Sequence, residues 1–167
     1  MVQAAILLVF LCAATKHPPG GNWGQNIGSF KGVIAYSNGS DAGKYSFTEP
    51  VGQDGTKYQC TEYCRRFYRV YYGVDTSDWQ ITAKDWYGFS RFWGVKRCPN
   101  DGTSLPQPTD ILCFKNKPYG HVAIVTSLKD NLVNIIQENA SPRSAYGQVA
   151  IVNGILQDEC IGWLRKG

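Results

Sequence analysis

The chain has 167 residues, with 17 Lys and Arg against 13 Asp and Glu, a formal net charge of +4. Charged residues are 18% and aromatic residues 13%, enough apolar matter for a core, which excludes a disordered chain. The length suits one ordinary domain, and the modest, scattered positive charge gives no reason to expect a nucleic-acid partner.

Val2 to Ala14 is almost wholly apolar and ends in Cys12-Ala13-Ala14. A run of about a dozen apolar residues is too short to span a membrane, which needs about 20, and suits a signal peptide. Residues 1–15 are therefore expected to be a signal peptide, with an extracellular mature protein. Residues 16–31 open on His17-Pro18-Pro19-Gly20-Gly21, a loop signature, and a single domain is expected over 32–167. Gly32 to Ser37 reads as a short strand. Between Gln59 and Tyr72, Cys60, Tyr63, Cys64, Phe67, Tyr68 and Tyr71 recur at helical steps, while Arg65, Arg66 and Arg69 fall elsewhere. Gly73 is placed to stop that helix. Trp79, Ala83, Trp86 and Phe89 predict a second helix within Ser77 to Trp93. After a Pro/Gly-rich loop at 99–109, strands are predicted at 110–114, 121–127, 132–137, 148–152 and 161–164. Short turns between them predict an antiparallel meander, and helices before strands predict an α+β fold.

Cys60 opens the first helix, where unpaired N–H groups and the helix dipole favour a thiolate. The Cys60 N–H and the Gln59 side-chain amide are candidate donors to an oxyanion. His121 is the only histidine outside the N-terminal segment that holds His17. It starts an apolar strand after Gly120. An imidazole base needs a third group to orient it. Glu138 and Asn139, at the end of the following strand, point to opposite faces, so one of them should face His121. Glu62 and Asp110 read as structural hydrogen-bonding groups. Of six cysteines, loss of Cys12 with the signal leaves five. If Cys60 is the reactive thiol, Cys64, Cys98, Cys113 and Cys160 are left to form two disulfides. Cys98 with Cys113 and Cys64 with Cys160 is the preferred pairing of the three available.

Four segments carry a resemblance: Tyr58-Gln59-Cys60-Thr61-Glu62-Tyr63-Cys64, Pro108-Thr109-Asp110-Ile111-Leu112-Cys113-Phe114, Gly120-His121-Val122-Ala123-Ile124-Val125 and Ile135-Ile136-Gln137-Glu138-Asn139. Their order and spacing resemble the CHAP domains, the cysteine, histidine-dependent amidohydrolases/peptidases related to the papain-like NlpC/P60 group. The resemblance implies helices packed on an antiparallel sheet, with Cys60 as nucleophile, His121 as base and Glu138 as the orienting group. Gln59 would help form the oxyanion hole, and Asn139 is the alternative third member. Members often read Glu-Gln-Asn where this chain reads Gln137-Glu138-Asn139, and Thr109 replaces a Gly. Some members bind calcium through acids just before the nucleophile. Here residues 50–57 hold one carboxylate, Asp54, so no metal and no cofactor are expected.

The expected activity is that of a secreted, monomeric cysteine amidase or endopeptidase. It would cut an amide of bacterial peptidoglycan through a thioester. A small-molecule amidase of the glutathionylspermidine type, and a non-catalytic disulfide-stabilised binding protein, are the alternatives.

Overall fold

The computed structural model describes residues 22–39, 51–90, 93–115, 118–141 and 143–167. The expected signal peptide lies outside them. Within them the fold is α+β, with two helices beside largely antiparallel sheet. Helix α1 runs Cys60–Tyr72 and α2 runs Ala83–Phe89. The main sheet has seven strands: β5 (Val95–Pro99), β6 (Ile111–Phe114), β7 (His121–Lys129), β8 (Leu132–Ile136), β9 (Tyr146–Val152), β10 (Ile155–Leu156) and β11 (Cys160–Lys166). Their spatial order is β10-β9-β8-β7-β6-β11-β5. The run β6 to β9 is the predicted meander, each strand beside its sequence neighbour. β11 departs from it by returning between β6 and β5. Two small hairpins stand apart: β1 (Asn26–Phe30) with β2 (Val33–Tyr36), and β3 (Val51–Gly52) with β4 (Gly55–Thr56).

The α1 periodicity has the expected consequence. Tyr63, Cys64, Phe67 and Tyr68 are completely buried beneath it, packed with Val122, Ile124, Ile136 and Leu164 from the sheet. Gly73 ends the helix in the left-handed region, at φ 67°, and its N–H reaches the Arg69 and Tyr68 carbonyls. The other face of the sheet holds a second cluster, with Leu112, Phe114, Ala123, Val125, Val133, Ile135, Val149 and Trp163. Strands buried on both faces explain the continuous apolar runs at 111–114 and 122–125.

The second helix is shorter than predicted. It begins only at Ala83, after Thr82 in extended conformation. Trp79 still reaches the core from this irregular segment, edge-on to Trp86 and stacked on Trp93. Strand β5, which hydropathy did not single out, is held by pairing with β11 across the chain.

Candidate active site

Two local devices hold the α1 N-terminus and the start of β7. At the α1 N-terminus, Gln59 sits in extended conformation, φ −95° and ψ 156°, and makes no side-chain cap. Its carbonyl carries the first helical bond, from the Tyr63 N–H. Its side-chain Oε1 instead accepts from Asn139 Nδ2 at 2.6 Å, and Asn38 Nδ2 donates to Asn139 Oδ1. Asn139 adopts φ 56°, a left-handed conformation that Asn tolerates. The segment leaving β8 is thus tied directly to the residue before Cys60.

The second device fixes His121. Gly120 precedes it at φ 70°, and a Cβ there would lie 2.6 Å from Lys84 N and 2.8 Å from the Phe114 carbonyl oxygen. The Lys84 N–H donates to the Tyr119 carbonyl at 2.9 Å, so α2 braces this turn. The His121 Nε2 pairs with Gln137 Oε1 at 2.7 Å. A cavity of about 370 Å³ is lined by His121 and Gln137, has Phe114, Ile135 and Val149 among its walls, and reaches Asp158 and Glu159.

The two candidate third groups, Glu138 and Asn139, are each held by other partners. Glu138 is held with Arg66 and the Tyr36 N–H. It is fully buried under α1, where its Oε1 accepts from the Tyr36 N–H at 2.7 Å and from Arg66 Nη2 at 2.8 Å. Asn139 is engaged by Gln59 and Asn38. The cause is strand alternation. Ile135 belongs to the cluster on the face away from α1 and Ile136 to the cluster beneath α1. Gln137 continues the first face and Glu138 the second. Gln137 was the residue that the sequence reasoning missed, although the pattern of apolar residues before it carried the signal.

Arg66 lies over the rings of Tyr36 and Tyr63, 5.2 and 5.4 Å from their centroids, and pairs with both Glu62 and Glu138. One guanidinium therefore serves two buried carboxyls. Burial, and then the charge of Glu62, raise the Glu138 pKa well above the ordinary glutamate range. Its Oε2 meets no donor, which suits a carboxyl that keeps its proton. The folded protein holds that proton more tightly than the unfolded chain. The resulting stability is complete below the ordinary glutamate range and is lost as pH rises through and above it. Glu138→Gln keeps an acceptor at the same place, so its melting temperature should fall less with rising pH than that of wild type. A pH dependence as steep as wild type would contradict this assignment.

The other expected carboxylates are structural. Asp110 accepts from Arg165, and Asp54 is clasped by two Arg69 donors at 2.7 Å each.

None of the five described cysteines forms a disulfide. This corrects the two expected disulfides. Cys64 and Cys113 lie in the cluster under α1, and Cys98 and Cys160 lie in the cluster on the other face. Each preferred pair would have to cross the sheet. Burial pushes the Cys64 and Cys113 thiols well above their usual range and the Cys160 thiol up to about 11. Iodoacetamide at neutral pH should therefore modify Cys60, at the helix N-terminus, before these three. Peptide mapping checks the order, and equal labelling of the four would contradict it.

Cys60 opens a helix and His121 opens a strand, and Gln59 and Gln137 tie both to the segment that leaves β8. The CHAP domain profile matches residues 51–139, more than half of the chain. This chain belongs to the CHAP domain family. Two solved structures resemble it in fold, the crystal structure of Ly7917 and that of Ly7917 with the hydrolyzing product of MDP. Identity is 15% in both, with TM-scores of 0.50 and 0.51. The match covers 70% of this chain and 55% of each of theirs, so this chain spans little more than half of their length. No curated protein matches the sequence. Among the described residues no helix is long and apolar enough to cross a membrane.

Proposed function

We propose that this protein is a secreted cysteine amidase or endopeptidase of peptidoglycan, acting as a single chain after loss of residues 1–15. The observation that carries the reading is the bond between Gln59 and Asn139, which joins the Cys60 end of α1 to the segment that holds His121. A helix bearing the nucleophile on an antiparallel sheet bearing the base supports a papain-like arrangement. Family membership supports amide hydrolysis. The neighbour crystallised with a product of MDP supports a peptidoglycan-like substrate.

In this reading the Cys60 Sγ attacks the amide carbonyl carbon and its proton passes to His121 Nδ1. The Cys60 N–H and the Gln59 amide stabilise the oxyanion. As the C–N bond breaks, His121 gives the proton to the departing amine, leaving a thioester on Cys60. His121 then takes a proton from water, which attacks the thioester and releases the acid and the thiol.

Incubation with purified cell walls should lower their turbidity, while a glutathione–polyamine amide stays intact. Cleavage of the small amide with walls untouched would overturn the substrate assignment in favour of a small-molecule amidase.

A further inference from the structure

We infer that Gln137 is the residue that positions His121, so that the Cys60–His121 pair works beside a neutral amide where an acid was expected. The inference deepens the hydrolase reading above and rests on it. An amide oxygen can only accept, so the 2.7 Å contact places the ring hydrogen on Nε2. The Nδ1 lone pair is then left to receive the Cys60 proton.

The amide has a built seat. The Gln137 N–H donates to the Ala145 carbonyl at 2.9 Å, which anchors its backbone to the segment before β9. Its Nε2 lies over Gly147, where a Cβ would come within 2.8 Å of it. Gly147 stands opposite Ile135 in the β8–β9 register, one pair from the end of the ladder. A side chain at 147 would push the amide off the histidine. The acid next in sequence is committed elsewhere, with Glu138 held by Arg66 and the Tyr36 N–H beneath α1.

A carboxylate at position 137 would do something that the amide does not. It would add a negative charge beside the imidazolium and favour the protonated ring. Asp158 and Glu159 share the His121 cavity, α1 carries Cys60, Glu62, Cys64, Arg65, Arg66 and Arg69, α2 carries Lys84 and Asp85, and β6 carries Cys113. These are unchanged in the variants below, so differences report on position 137.

The chain has two histidines, which makes the His121 ring readable by NMR without substrate. Gln137→Glu should raise the His121 titration midpoint by about one pH unit relative to wild type. Gln137→Ala should lose the Nε2–H tautomer and lower kcat about 10²-fold with little change in KM. Gly147→Ala should lower kcat in the same direction while leaving Gln137 in place. Glu138→Gln should leave the His121 titration and kcat at wild-type values. A midpoint that moves in Glu138→Gln and stays fixed in Gln137→Glu would overturn the inference, as would wild-type kcat and tautomer in Gln137→Ala. If Gln137→Ala does not fold, Gln137→Glu and Gly147→Ala still decide it. A His121 ring that responds as expected in a protein that cleaves no amide supports the positioning role and removes the hydrolase reading.

Discussion

Cys60→Ala is expected to lower kcat/KM for amide cleavage by at least about 10⁴-fold while leaving the fold intact. Removing a catalytic nucleophile removes the covalent route altogether, and such losses reach about 10⁶-fold. What remains is substrate binding and oxyanion stabilisation by the residue 60 N–H and the Gln59 amide. The fold should tolerate the change because Cys60 is at the first position of α1, at the edge of the core, while Tyr63, Cys64, Phe67 and Tyr68 supply its completely buried face. Losing one small sulfur there is expected to cost about 1 kcal/mol. Circular dichroism and thermal melting separate the two effects. A variant that melts near wild type and hydrolyses nothing supports a nucleophile. A variant that still hydrolyses at wild-type rate places the chemistry elsewhere.

Gly120→Ala should lower stability and rate together. Two effects add. An alanine held near φ 70° costs about 1–2 kcal/mol, and forcing its Cβ against backbone costs about 1–3 kcal/mol more. The neighbours are Lys84 N and Cα and the Phe114 oxygen, all backbone, so no flexible side chain can swing away. A loss of about 3 kcal/mol corresponds to roughly 10 °C in melting temperature for a chain of this size. Relief by displacement would move His121, the next residue, and a shift of about 1 Å is worth about 10²-fold in rate. The expected result is thus a lower melting temperature together with a kcat deficit that persists well below it. Wild-type stability and rate in Gly120→Ala would contradict the bracing of His121 by α2.

The parts of the site that were legible in the sequence are those set by local rules. The spacing of Tyr63, Cys64, Phe67 and Tyr68 defines α1 and therefore puts Cys60 at its start. The apolar run after His121 defines β7, and the short turns at 129–132 put β8 beside it. The identity of the third group was not local. Counting residues from His121 selects Glu138, but a strand presents faces, and one step along it exchanges them. Ile136 is buried under α1, so Glu138 goes there too and finds Arg66, whose place on α1 follows from the helical period. The Gln137-Glu138 order is a transposition of the family's common Glu-Gln order. It moves the carboxyl from the histidine's side to the buried contact with Arg66.

The cysteines failed for a related reason. An even number of remaining thiols implied bridges, but in the preferred pairing the sheet separates Cys64 from Cys160 and Cys98 from Cys113. Strand β5 and the return of β11 were invisible because their pairing partners lie across the chain, where hydropathy in a short window cannot report them.

Mass spectrometry of the fragments released from purified peptidoglycan tests the central claim most directly. Hydrolysis of an amide by Cys60 predicts that every new fragment end is a free amine or a carboxyl, and that Cys60→Ala releases none of them. New reducing sugar ends, or the same amines released by Cys60→Ala, would contradict it.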